Sequence, residues 1–527
     1  MTSARTLARA GLIVSAAFLV SRVLGWVRLV VITDAVPEPA ELDAFFAAFR
    51  IPDLLFQLVA AGALSSALIP VIAGLLETDG EQRAWRVVST VANLMLAALL
   101  VLGLIVLLFA DRLVPIYTSG FAAPTMGRTI ELTRIMVLSP IFLALGALAT
   151  SVLNARGRFA ASAIAPIVYN LAIIGAALVL APSMGAVGLA IGVVLGSLGH
   201  LLVQVRPLRR CGFRYDRDID LADPAARKAL TLMAPRAVGL GASQITFVVV
   251  TALATTVGVG GVTAFTIAFT LLQIPIGVIG VPLGVVLFPS LSRGAAAGDD
   301  IEFMGLLTRS MRLLAVVMIP VGVIAAILRL ESVAILFGQL DPATIRLTAD
   351  TLLAFLVGLP AHALIAVLAR AFYARQDTLT PVAAAVGAVV VNITLAALLV
   401  GPFGLPGIAI AIAIAAWLEA AVLMLLLRRR EGPLGLAAIA DVGLRTLVAS
   451  AMAGAIAIFA HVLVGPALAP DPATLGRPGI PGLAAVIVIV SAAFASAFWV
   501  LAFALRIDDA RSIVAIMVDA IRRPRRT

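Results

Sequence analysis

Four charged residues stand where an apolar chain has little reason to place them. Arg22 and Arg28 interrupt the first apolar run, 10–33, and Arg50 and Asp53 interrupt the second, 44–76. A charge held at mid-bilayer costs about 2.5–3.5 kcal/mol on insertion scales, so such side chains face a wet cavity, a partner or the interface. Two arrangements satisfy them. In one, Arg50 pairs with Asp53 a turn away and Arg28 snorkels toward Asp34. In the other, the guanidinium groups line a cavity and meet an anion brought by a ligand. Arg22 has no acid within one turn and suits the second arrangement. A diphosphate fits it, because a guanidinium fork binds phosphate oxygens through paired hydrogen bonds. Arg236 is a further cation inside or near a span. Glu419, alone in the twelfth apolar run, is a candidate for a coupling ion or a proton, or for pairing with a nearby Ser or backbone group. The acids Asp34, Glu38, Glu41 and Asp43 read as a solvated connection.

Other chemistry is missing. His200, His362 and His461 are isolated from one another, and Cys211 has no His nearby and no partner for an intrachain disulfide. No cluster with metal-ligand spacing, no nucleophile with a base and no phosphate-cradling glycine loop is present, so neither enzyme, metal site, cofactor nor ATP hydrolysis is expected.

The elements that position these residues follow from composition. Of 527 residues 62% are hydrophobic and 13% charged, about half the charge of a soluble domain. Unbroken runs of about twenty apolar residues exclude a soluble globule and a transmembrane barrel. An all-α polytopic membrane protein is expected, with fourteen spans: six before the basic stretch 206–228 and eight after it, near 229–256, 262–291, 310–330, 347–371, 380–400, 405–427, 443–465 and 481–505. With the N-terminus inside, the inner segments hold 28 of the 38 Lys and Arg residues and the outer segments 6. That asymmetry places both termini in the cytoplasm. The net charge of +10 is then an orientation signal, and nucleic acid is not an expected partner. The tail 507–527 reads as a basic amphipathic segment along the inner surface.

The chain reads as duplicated. Pro70 and Pro289 close equivalent spans, Ala155-Arg156 and Ala374-Arg375 mark equivalent turns, and each pair lies 219 residues apart. Six spans per copy make the repeats parallel. The expected organisation is an N-terminal lobe (1–206), a basic linker (207–228), a C-terminal lobe (229–430) and an appended helix pair (431–506), with the lobes around a central cavity. In Arg375-Gln376-Asp377-Thr378-Leu379-Thr380-Pro381, Asp377 or Thr380 caps the start of span eleven, and Pro381 loses nothing by lacking an N–H there.

Several stretches together resemble a known family: Ser21-Arg22-Val23-Leu24-Gly25, Asp43-Ala44-Phe45-Phe46, Gly62 to Pro70, Leu153-Asn154-Ala155-Arg156-Gly157-Arg158-Phe159, Leu287 to Ser292, and Phe372 to Pro381. In this order they look like the MurJ (MviN) lipid II flippases, within the superfamily of multidrug, oligosaccharidyl-lipid and polysaccharide exporters. The resemblance implies transfer of undecaprenyl-diphosphate-linked peptidoglycan precursor to the outer leaflet of the bacterial cytoplasmic membrane, by alternating access. Its implied partners are that precursor and membrane lipids, with a coupling ion as a candidate and a monomer as the default. Arg22 and Arg28 fall on arginines that the family uses in its cavity, and Asp43 falls on a family acid at the outer end of the second span. The chain departs from the pattern at Leu29, Phe56, Thr270 and Gln273, where the family often carries charge, which leaves Arg50 and Arg236 as substitute cations. An exporter of another lipid-linked glycan or amphiphile, and a non-transporting scaffold, are the competing readings.

Overall fold

The computed structural model describes residues 4–59 and 63–511, with side chains over 16–59, 68–233 and 244–511. The described residues are helices and short connections, without a strand: α1 (Ala4–Ala35), α2 (Pro39–Ala48), α3 (Arg50–Val59), α4 (Ala63–Thr78), α5 (Glu81–Tyr117), α6 (Ala123–Met136), α7 (Ser139–Ala155), α8 (Phe159–Val179), α9 (Ala181–Met184), α10 (Ala186–Arg210), α11 (Pro224–Thr255), α12 (Gly261–Pro275), α13 (Val281–Ala297), α14 (Asp300–Ile327), α15 (Arg329–Phe337), α16 (Pro342–Leu356), α17 (Leu359–Ala374), α18 (Leu379–Glu431), α19 (Leu436–Leu468) and α20 (Ile480–Ala504). A bilayer has no water for unpaired backbone groups, so a helix that satisfies its own is the element such a composition selects.

Among the described residues ten helical stretches are long and apolar enough to cross a membrane, and α16 with α17, bent by 49°, makes eleven. Fourteen are not reached on that count, for identifiable reasons. Span two is broken around Phe49, between α2 and α3, and residues 60–62 lie outside the described residues. In α11 only Gln244–Thr255 counts, as a short apolar helix. And α18 counts once although it contains two arms: Gly404 is non-helical at φ 60°, ψ −142°, and Arg430 Nη1 reaches Asp377 Oδ2 at 2.5 Å. A straight helix of that length would be about 80 Å long, so the arms fold back on each other.

The contacts divide the chain into two compact units, 1–263 and 264–527. In the first, α1 packs on α8, α8 on α10, and α10 on α7. Gly188, Gly192 and Gly196 make the α8–α10 seam possible. A Cβ on Gly192 would sit 2.4 Å from Ala176 Cβ, and one on Gly196 2.8 Å from the Tyr169 carbonyl. Small residues at this spacing let two helices approach closely where lipid offers no hydrophobic drive. α11, expected to open the second repeat, packs with the first unit against α3, α4 and α5; its Ala226, Ala229 and Met233 are buried in the apolar cluster around Trp85, Val88 and Leu99. In the second unit α14 packs on α17 and α19, and α19 on α20. Phe265, Phe269 and Phe355 form an aromatic knot there, with ring centres 5.6–5.9 Å apart.

The 219-residue offset extends to local geometry. Starts at Glu81, Ala123 and Ala186 recur at Asp300, Pro342 and Leu405, the last beginning the second arm of α18. Gly185 (φ 57°, ψ −139°) matches Gly404. Arg156 pairs with Glu81 as Arg375 pairs with Asp300. Thr129 donates to the Thr125 carbonyl as Thr348 donates to that of Thr344.

Candidate functional site

Arg22 lies on α1 where Asn170 of α8 donates to the Ser21 carbonyl at 3.2 Å and fixes the two helices together. Beside it is a cavity of about 470 Å³, walled by α1, α7 and α8. Its polar groups are Arg22, Ser21, Thr150, Asn154 and Ser162. Ser162 Oγ donates to Asn154 Oδ1 at 2.9 Å, and Thr150 Oγ1 to Gln204 Oε1 at 2.8 Å. The Arg22 guanidinium lies 5.9 Å from the centre of the Phe18 ring. Among the described residues no acid pairs with it and no acceptor takes its N–H groups. A cation beside a largely apolar cavity with a few neutral polar groups, and with no acid paired to it among the described residues, can take an anion from outside.

Arg28 and Arg50 are placed differently. The Arg28 guanidinium lies 5.6 Å from the Tyr169 ring centre, on the helix that the α8–α10 glycines bring close. Arg50 Nε donates to Thr251 Oγ1 of α11 at 2.7 Å, and its guanidinium lies 5.6 Å from the Phe247 ring centre. Asp53 is within electrostatic reach of both arginines. The two readings of these charges therefore divide by residue. Arg28 and Arg50 share one internal acid, and Arg22 has none among the described residues.

Asp43, read from the sequence as part of a solvated connection and, through the resemblance, as a family acid, is instead a buried clasp. It is 1% exposed. Oδ2 accepts from the Gly260 amide at 2.7 Å; Oδ1 accepts from the Thr263 amide at 2.8 Å and from Thr263 Oγ1 at 2.7 Å. A carboxylate on the first amides of α12 satisfies donors that no helix can satisfy for itself. With three protein donors it has little left to offer a ligand. Sequence spacing carried no signal for this, since the partners lie 217 and 220 residues away.

The Arg236 side chain lies outside the described residues. Thr270 spends its hydroxyl on the Thr266 carbonyl at 2.7 Å, and Gln273, on the next turn of α12, is exposed. Asp377 caps α18: Oδ1 accepts from the Leu379 and Thr380 amides at 3.1 and 2.9 Å, Oδ2 from Thr380 Oγ1, and Pro381 is buried in the first turn. These contacts hold the Asp377 carboxyl below the usual range, the Thr380 hydroxyl first and the Arg430 guanidinium after it. Arg375 ties this corner to Asp300 and Glu431. Glu419 is half-buried on the second arm of α18. The residues the sequence did not single out are Tyr169, Thr251, Asn154 and Ser162: neutral side chains become visible as site residues only when the fold sets them beside a charge.

A model of the family described as lipid II flippase MurJ matches residues 39–470. The lipid II flippase MurJ of Burkholderia cenocepacia is 32% identical over 432 residues, 80% of this chain and 84% of that protein. The probable lipid II flippase MurJ of Rhizobium tropici is 30% identical over 480 residues, 89% of this chain and 90% of that protein. Among solved structures, a lipid II flippase MurJ in an inward closed conformation superposes with a TM-score of 0.74 at 22% identity, covering 92% of this chain and 98% of that one. An inward-facing multidrug resistance MATE family transporter of the MOP superfamily gives 0.66 at 18% identity, covering 78% and 94%. The superpositions establish the fold, and the match of family model and relatives across most of the sequence establishes the kinship: this multi-pass membrane protein belongs to the lipid II flippase MurJ family.

Proposed function

We propose that this protein moves lipid II, the undecaprenyl-diphosphate-linked peptidoglycan precursor, from the cytoplasmic to the outer leaflet of the bacterial inner membrane, as a monomer working by alternating access. The observation that carries this reading is Arg22, a guanidinium with no acid paired to it among the described residues, beside a largely apolar cavity of about 470 Å³ into which Thr150, Asn154 and Ser162 also face. The pocket lies toward the arginine-rich end of the first unit, next to the α7–α8 turn with Arg156 and Arg158, and the distribution of Arg puts that end in the cytoplasm. A diphosphate arriving from the inner leaflet meets Arg22 first, with the Asn154 amide N–H₂ as a neutral donor beside it, its Oδ1 held by Ser162. Arg28 and Arg50, which share Asp53, supply a net positive field further along. The halves 1–206 and 229–430 are the moving lobes, joined by 207–228, with 431–506 appended. At the outer end the Asp43 clasp holds α2 to the start of α12, and outward release requires that clasp to open.

Arg22→Ala removes charge-assisted hydrogen bonds worth about 1.5–3 kcal/mol to a bound phosphate, a loss of roughly ten- to a hundredfold in rate at limiting substrate. Leaflet-resolved lipid II in cells depleted of their own flippase and supplied with the variant is the measurement. Arg22→Lys, which keeps the charge but not the fork, falls between the two. Wild-type translocation by Arg22→Ala, at equal membrane abundance, removes Arg22 from the substrate path.

A further inference from the structure

A carboxylate in the second unit lies outside the cavity beside Arg22. Glu419 stands midway along the second arm of α18, fourteen residues after Leu405 and twelve before Glu431, which puts it about 18–21 Å from either end. It lines a cleft of about 580 Å³ between the two arms. The opposite wall is built of small residues, including Ala384, Gly387 and Ala388, and a Cβ on Gly387 would meet nothing within 4 Å. The cleft runs about 16 Å along α18, from Thr380 and Arg430 at the charged end of the arms to Glu419. Among the described residues neither a hydrogen bond nor an ion pair engages the Glu419 carboxyl.

We propose that Glu419 is a proton-binding site reached from the Thr380–Arg430 mouth of this cleft. Water in the cleft delivers the proton, one carboxylate oxygen accepts it, and no other bond changes. A carboxylate at mid-span carries a cost of about 2.5–3.5 kcal/mol that proton uptake removes. A metal cation is the poorer occupant, because hard cations need several oxygen ligands. At the depth of Glu419 the remaining wall is hydrocarbon, and the Thr380 hydroxyl is spent on Asp377. The charged group facing the cleft is Arg430, itself paired with Asp377. α16 and α17 pack on the other side of this arm, where Trp417 Nε1 donates to the Val357 carbonyl at 2.9 Å and Gly358 meets Ala413; their Asp350, His362 and Arg370 do not line the cleft. The site stands independently of the lipid that the protein carries.

Dicyclohexylcarbodiimide reacts with protonated carboxyl groups in apolar surroundings and serves as the probe. Purified full-length protein in lipid vesicles is treated across about pH 6 to 9, digested and mapped by mass. The expected result is an adduct on the peptide carrying Glu419, falling about tenfold per pH unit once the group ionises, absent in Glu419→Gln and retained in Glu419→Asp. Monodisperse elution and an unchanged melting temperature establish that the Gln variant is folded; if it is not, the pH dependence in wild type and Glu419→Asp decides. Absence of label on Glu419 at about pH 6 overturns the proposal. Suppression of label by sodium at constant pH overturns it in favour of a cation. Because labelling needs no lipid II, its failure is distinct from a failure of the flippase reading.

Discussion

At the scale of single residues, what separates the candidate charges is who neutralises them. Arg28 and Arg50 sit in the field of Asp53 and against aromatic faces, while Arg22 has Phe18 and a largely apolar cavity with Thr150, Asn154 and Ser162 in its wall. The sequence singled out Arg22 by the absence of an acid within a turn. It had no means of showing that Thr251, on a helix 201 residues away, takes Arg50. Asp43 is the opposite case: its charge was legible and its employment was not. Asp43→Asn keeps the shape but turns an amide N–H₂ toward backbone donors that the carboxylate accepts. The expected cost is about 1.5–3 kcal/mol, read as a lowered melting temperature of the purified protein. Thr263→Ala, which removes the hydroxyl contact and leaves both amide contacts, costs about 1 kcal/mol. Equal melting temperatures for wild type and Asp43→Asn would sink the clasp.

At the scale of elements, the repeat foreseen from two proline and Ala-Arg coincidences extends to matched backbone geometry. Gly185 and Gly404 occupy the same positive-φ conformation, at ψ −139° and −142°. There a Cβ collides with its own backbone, so glycine is required wherever this corner is built. Gly185→Ala and Gly404→Ala should each cost about 1–3 kcal/mol, with matching losses of melting temperature and of monodisperse protein. Gly387→Ala, with open space around the new methyl, is the control expected to leave the melting temperature nearly unchanged. The apolar runs were legible because hydrocarbon selects them residue by residue. The fold-back at Gly404 falls in the gap already legible between the runs 380–400 and 405–427, whereas the break around Phe49 was not, since 44–76 reads as one apolar run despite Arg50 and Asp53.

At the scale of the whole molecule, the basic linker is strapped down. Asn93 Nδ2 donates to the carbonyls of Asp216 and Arg217 at 3.1 Å, the Asp216 amide donates to Ser89 Oγ at 3.0 Å, and the Asp220 amide to Thr90 Oγ1 at 3.1 Å. Arg83 closes the strap on Asp223 at 2.9 Å and holds that carboxyl below its usual range. A depressed carboxyl contributes stability above its unfolded value, and that stability is lost as the pH falls through the folded value. Hydrogen exchange at the Asp216 and Asp220 amides, corrected for intrinsic rate, should therefore stay protected at neutral pH and accelerate below about pH 4. Arg83→Ala should move that acceleration to higher pH; unchanged protection in the variant would show that Arg83 does not close the strap. Composition by itself determined the class, since 62% hydrophobic and 13% charged residues leave no soluble solution, and the distribution of arginine determined the expected orientation. Both are sums over residues that neighbours cannot alter. Which arginine lacks an anion, which acid is locked on a helix start and which carboxyl faces an open cleft were decided only by tertiary structure. The free energy of a charge depends on the groups within a few ångströms of it, and folding draws those groups from hundreds of residues away.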